Sequence, residues 1–337
     1  YIVFYNTKKQ NLYNLEADIY NINNDLVDTF VIYENSYVFI NFSVDNLQGI
    51  EDNFVVAYSI FNNTVYQTIS EVYNSKGIFK NIKYTYIHDA LLETSNPQVK
   101  SIQIPINTTT GSNYNGYALI YRNKTEQSTE IKVDLLPNSS SNLAGTVEIA
   151  NELNSYLAST IDKHEETRIK TIKYHQIGYN KNKKKLLISC SGAFEIKNNE
   201  GDIQTHYLSF IIPCTLGINL ETLKPTLTVN SNFKTLNSNS LTEEILGVAI
   251  QLQNPVSQIY RYAYYLTDLN QITTIKYGEY SNVTGNFENE VTITNTLTDS
   301  IATTDEQYNK IPSLSIQSVS NFIIAYQKNN IISFFNF

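Results

Sequence analysis

Short runs of β-branched and aromatic residues, each closed by a cluster of Asn, Asp, Ser or Gly, recur along nearly all 337 residues and constrain the fold more than any other feature. In the first half such runs lie at 12–20, 29–33, 37–44, 54–61, 65–69, 78–86, 99–106, 117–121 and 130–135. In the last of them Ile131, Val133 and Leu135 alternate with Glu130, Lys132 and Asp134, the period of a strand with one buried face. A second series follows at 186–196, 203–212, 227–230, 247–252, 260–266, 273–280, 290–296, 322–327 and 331–337. No repeat of fixed period joins the two series, and their spacing predicts a mainly β chain of two antiparallel β-sandwich or jelly-roll-like domains.

One stretch departs from the pattern. Across 146–169 (TVEIANELNSYLASTIDKHEETRI), Ile149, Leu153, Leu157 and Ile161 recur every four residues, which predicts one amphipathic helix between the halves. Thr146 suits its N-cap and Glu148 its first turn, while Lys163, His164, Arg168 and Lys170 carry the charge a helix C-terminus prefers. A heptad reading lasts about two heptads, short of the three or four a coiled coil needs, so the helix is expected to pack on a β-domain. Pro137 closes the first unit and 138–142 (NSSSN) reads as a linker. The expected organisation is therefore an N-terminal sandwich over 1–137, linker and helix over 138–171, and a C-terminal sandwich over 172–337. Single helical turns are expected near 89–93 and 241–246.

A net charge of −8 argues against nucleic acid as the main partner, since phosphate binding needs clustered Lys and Arg. The basic run at 181–185 reads as a solvated turn. No apolar run approaches the ~18 residues of a membrane span, so no membrane insertion is expected. Residues 1–5 are too short for a signal peptide, and because Tyr1 is not a translation start, an upstream segment is expected. The 43 Asn and 26 Tyr, with no Met and no Trp, point to an AT-rich genome. Charged residues make up 17%, against about 25% in average globular proteins, and Asn, Ser and Thr supply the polar surface instead, an association with extracellular or virion surfaces.

Motifs that carry chemistry are missing. There is no Gly-rich phosphate loop, GxSxG elbow or HExxH helix. His88, His164, His175 and His206 form no pair at metal-ligand spacing, and the acidic loop residues Asp299, Asp305 and Glu306 lack EF-hand spacing, so no metal and no cofactor are expected. Cys190 and Cys214 flank a hairpin that turns near Glu200; its register puts Cys190 opposite about residue 210, leaving the thiols roughly 10 Å or more apart and predicting two buried free cysteines. A glycosidase needs no local motif for its two carboxylates. Lack of Trp weighs against a sugar site, whereas Tyr260, Tyr262, Tyr264 and Tyr265 weigh for one, although alternation along a strand would put half of them in a core.

A β-sandwich of this length ending in an alternating strand, then a linker and a helix, resembles the attachment modules of tailed-phage baseplate, tail-fibre and head-fibre proteins. The segment 30–49 (FVIYENSYVFINFSVDNLQG) is similar to the strand–turn–strand opening of baseplate upper proteins. The resemblance covers at most the first 170 residues or so, implies attachment to a virion, and carries no catalytic residue with it. The expectation that follows is a non-enzymatic phage fibre or baseplate component, located in the virion, with other virion proteins as partners and a host-surface glycan as candidate ligand. A cell-surface adhesin or S-layer component is the alternative, with an extracellular location, and a carbohydrate-active enzyme is the further one. The apolar final run, which includes Phe334, Phe335 and Phe337, would be an aggregation-prone edge if left unpaired. Together with the stripe of Leu153, Leu157 and Ile161 it predicts a homo-oligomer, a trimer by preference.

Overall fold

The computed structural model describes all residues except 48, 50–51, 62–63, 89–94, 108–109, 125–128, 141, 150–166, 181–183, 198–200, 231–232, 237–240, 242, 253–257, 269–272, 282, 298–312, 317–321, 329–330 and 337. Every regular element among the described residues is a strand. The first sheet holds β1 (Ile2–Lys9), β2 (Leu12–Tyr20) and β3 (Leu26–Ser36); the second holds β4 (Asn41–Asn46), β5 (Asn53–Phe61), β6 (Tyr66–Asn74) and β7 (Phe79–Ile87). In the third lie β8 (Gln98–Asn107), β9 (Ser112–Lys124), β10 (Thr129–Pro137) and β11 (Gly145–Glu148). The fourth is built from β12 (Thr167–Asn180), β13 (Lys185–Lys197), β14 (Ile203–Ile218) and β15 (Pro225–Val229), with β16 (Lys234–Thr235) also on β14. A fifth contains β17 (Glu243–Leu252), β18 (Ile259–Asp268), β19 (Thr273–Ser281) and β20 (Asn286–Leu297), and a sixth β21 (Ser313–Ile316), β22 (Phe322–Lys328) and β23 (Ile331–Asn336).

Within each sheet, neighbours in space are neighbours in sequence, with β16 as the one departure among the described strands. Such meanders exclude the expected sandwiches and jelly rolls, whose Greek keys require a strand to return beside a non-sequential partner. A succession of meanders is instead the local topology from which β-propeller blades are made. The strand pattern in the sequence is the same in both cases, because it records which residues are buried and not which strand pairs with which.

Packing confirms the layering. β5 is buried along both faces: Phe54, Val56, Tyr58 and Ile60 join a core with Leu15, Ala17 and Ile32 of the first sheet, while Val55 and Ala57 join one with Val99, Tyr117 and Leu119 of the third. Each such large apolar side chain contributes about 1.5–3 kcal/mol by leaving water. That double burial explains why 54–61 reads as a nearly unbroken apolar run. Similarly, Leu187 and Ile211 of the fourth sheet share a core with Ile250, Tyr260, Tyr262 and Tyr264 of the fifth.

The expected helix is corrected at both of its ends. Residues 145–148 form β11 and residues 167–169 open β12, where Thr167 stands opposite Ile196. Thr146 does not cap a helix; its hydroxyl donates to Asp134 Oδ1 at 2.7 Å. The intervening 150–166, with Leu153, Leu157 and Ile161, lie outside the described residues, as do 89–94. The turn expected at 241–246 gives way to β17 from Glu243. By internal contacts the chain divides into one unit of Tyr1–Gln127, Ile131–Val147 and Ile218–Pro225, and another of Ser128–Glu130, Glu148–Gly217 and Thr226–Phe337.

Candidate functional site

The first unit contains a cleft of about 1010 Å³ between its first and second sheets. One wall is supplied by Tyr1, Ile2 and Phe4 at the start of the chain and by Ile19 and Tyr20 at the end of β2, strands held together by the pairing Ile2↔Ile19. The other wall is Val44 and Asn46 of β4, the turn residues Leu47, Gly49 and Asp52, then Asn53 and Phe54 of β5, with Ser75 beyond β6.

Its floor is aromatic. The Phe4 ring meets Phe54 edge-on at 5.6 Å, and Phe54 stacks on Tyr73 at 5.8 Å and 14°. At the margin Tyr1 and Tyr20 stack at 5.1 Å with 13° between their planes, and neither side chain is buried. The Tyr1 hydroxyl donates to Asn24 and that of Tyr20 to Asp18.

The polar rim is set by backbone geometry. Gly49 takes a φ of +79°, and a Cβ there would collide with the Asn115 side chain, so the turn favours glycine. Asp52 also has a left-handed φ, +63°, a conformation that Asp tolerates better than most residues. It is held there by Ser75 N–H donating to its carbonyl at 2.6 Å and by the Leu47 N–H to Asn53 carbonyl bond at 2.9 Å. Among the described residues the side chains of Asn46, Asp52, Asn53 and Ser75 have no hydrogen-bond or ionic partner, although all four line the cleft.

Three other carboxylates of the unit are already engaged. Glu16 accepts from Thr7, Lys9 and Asn14, and the Thr7 hydroxyl above all holds its pKa below the ordinary carboxylate value. Asp18 accepts from Thr29, Tyr5 and Tyr20, with Thr29 the main cause of its lowered pKa, and the same Asp18 bond pushes the Tyr5 phenol up to about 12. Asp134 takes hydrogen bonds from Tyr84, Tyr121 and Thr146. These groups order the sheets; only Asp52 brings a charged side chain to the described lining of the cleft.

Residues singled out in the sequence lie elsewhere. Tyr260, Tyr262, Tyr264 and Tyr265 are all buried in β18, with Tyr262 and Tyr264 donating to Glu290. Cys190 and Cys214 are buried free thiols, Cys190 sits opposite Phe210 as expected, and burial pushes both up to about 12. His88 is buried against Thr68 and Asn123. Phe334 and Phe335 lie in β23, opposite Ala325 and Ile324; Phe337 and the acidic loop residues Asp299, Asp305 and Glu306 lie outside the described residues. The cleft was not foreseen, although the alternation of Tyr1, Val3 and Tyr5 could have signalled a first strand.

No protein-family model matches the chain, and no curated protein matches it. Among solved structures, a glycosyl hydrolase from Bacteroides ovatus aligns over 87% of this chain and 82% of its own, at 10% identity and a TM-score of 0.33. An α-L-arabinofuranosidase from Podospora anserina, in complex with cellotriose, aligns over 86% and 87%, at 10% identity and 0.32. The tail fibre of Staphylococcus aureus phage P68 aligns over 84% and 70%, at 8% identity and 0.19.

The resemblance to phage attachment proteins, and the virion function drawn from it, are corrected: the tail fibre aligns at a TM-score of 0.19, too low to carry that resemblance. The segment 30–49 points the same way: its strands β3 and β4 belong to different sheets. The exclusion of an enzyme, which rested on missing motifs, falls as well. At TM-scores of this size no site residue passes from those proteins to this chain.

Proposed function

We propose that this chain recognises carbohydrate and holds a glycan in the cleft of its first unit. What carries the reading is the pairing of an aromatic surface, Tyr1 stacked on Tyr20, with a rim of uncommitted polar side chains at Asn46, Asp52, Asn53 and Ser75. A pyranose has the matching chemistry. Its C–H face is apolar and lies on an aromatic ring, while its hydroxyls are paired donors and acceptors that suit amides, a carboxylate and a hydroxyl. A volume near 1000 Å³ is at the upper end of small-ligand sites and accommodates a short oligosaccharide.

Binding and turnover at this site are separable. Glycoside cleavage uses two carboxyl groups about 5–9.5 Å apart, and Asp52 is the carboxylate that the described lining supplies. A glycan array followed by titration of tyrosine fluorescence tests recognition, and incubation with a polysaccharide panel tests cleavage. Tyr20→Ala is expected to weaken glycan binding about two- to tenfold, given the ~0.5–1.5 kcal/mol that aromatic ring contacts contribute beyond buried area. An array without a single binder, or full affinity in Tyr20→Ala, sinks the proposal.

A further inference from the structure

The same cleft carries a second, finer inference, which rests on the glycan reading above. We infer that Asp52 is its specificity-determining residue and selects saccharides bearing a free ammonium group over those bearing a carboxylate. Asp52 is exposed, lines the cleft, and has no partner among the described residues, in contrast to Glu16, Asp18 and Asp134, whose charges are already met by donors. The described lining includes no Lys, Arg or His to compensate it. A uronate entering the cleft would place like charges together, whereas a glucosamine-type ammonium would complete an ion pair.

The backbone that carries this carboxylate is held in place. It is fixed in a left-handed conformation by the Ser75 bond on one side and the Leu47–Asn53 bond on the other. Asn46, Asn53 and Ser75, being neutral, read hydroxyls without regard to charge.

The test compares three trisaccharides of similar length at fixed ionic strength: tri-glucosamine, its fully N-acetylated form, and tri-galacturonate. Calorimetry or tyrosine fluorescence reads their affinities for the wild type and for Asp52→Asn, a change that retains tolerance of positive φ and so preserves the turn. An exposed pair is worth up to about fivefold in affinity, so tri-glucosamine should bind about fivefold tighter than the acetylated form, and tri-galacturonate more weakly than either. Asp52→Asn should abolish the first preference and narrow the second. Salt should shrink the preference, since the pair is exposed to solvent.

Glu221→Gln, an exposed change of the same charge elsewhere in the unit, controls for the net charge of −8 and should leave the ratios as they are. Should Asp52→Asn keep the ratios, or Glu221→Gln shift them equally, Asp52 is not the selector while glycan binding stands. If none of the three sugars nor any glycan on the array binds, the functional reading itself fails and this inference with it.

Discussion

Two groups of tyrosines in this molecule share a composition and have opposite fates. On β18, Tyr262 and Tyr264 stack at 6.0 Å, are buried, and send their hydroxyls to Glu290, which Lys276 also engages at 3.1 Å. At the cleft, Tyr1 and Tyr20 stack at 5.1 Å yet remain accessible, above a rim whose polar groups are uncommitted. The dense run in the sequence was the more obvious sugar-binding candidate. Tyr260, Tyr262 and Tyr264 face the core shared with Leu187 and Ile211 of the fourth sheet, and Tyr265, on the other face of β18, is buried as well. A ligand surface instead needs aromatic area next to polar groups that the fold has not already satisfied.

The comparison breaks if the β18 tyrosines can be removed cheaply. Tyr262→Ala deletes a fully buried ring and leaves Glu290 without one of its donors, so it should destabilise the protein by about 3–5 kcal/mol, the range for buried aromatic truncations. Urea denaturation followed by circular dichroism reads this, and Tyr20→Ala in the same assay should lose far less stability while losing glycan affinity. Equal destabilisation by the two changes would mean that the cleft tyrosines are ordinary packing.

A subtler probe of the same core is Gly278→Ala. The Tyr262 ring lies across Gly278, and a methyl group there would run into its phenol. Tyr262 cannot swing aside without surrendering Glu290, so we expect a loss of about 1–3 kcal/mol, typical of overpacking. A Tm unchanged from wild type would show the ring to be free to move.

The smallest effect separates engaged from uncommitted carboxylates. Glu16 has a folded pKa below its unfolded value of about 4.3. Its contribution is therefore fully present above the unfolded value and is lost as pH falls through the folded one. Thr7→Val removes the principal donor and should cost about 1 kcal/mol at pH 7, a gap that closes on acidification below about pH 4. Asp52→Asn, by contrast, should leave stability within about 0.5 kcal/mol of wild type. If Asp52→Asn costs as much as Thr7→Val, Asp52 is structural and the rim is not waiting for a ligand.

Much of the β-structure was legible because burial alternates or persists along a strand. The runs at 12–20, 54–61 and 186–196 fall on β2, β5 and β13, and the Cys190 register followed from counting along one hairpin. The two ends of the expected helix were misread because apolar residues four apart along 146–169 satisfy helical spacing, while the strands at 145–148 and from 167 onward are made by partners outside that stretch: Thr146 meets Asp134 and Thr167 faces Ile196. The cleft was invisible for the same reason. Tyr1 and Tyr20 are nineteen residues apart, and Asp52 and Ser75 come from two different turns.

By itself, then, the sequence determined the predominance of strand, the hairpin around Gly201, the free thiols and the lack of any local catalytic motif, all properties of neighbouring residues and their periodicity. Which strands pair, how the meanders stack, and which tyrosines stay at the surface were decided only in the tertiary structure. Those outcomes depend on contacts between residues far apart in the chain, where cores such as that of Val56, Leu15 and Ile32 are assembled from two sheets at once. Local pattern sets what each segment can bury; only the assembled sheets settle what is left uncovered for a ligand.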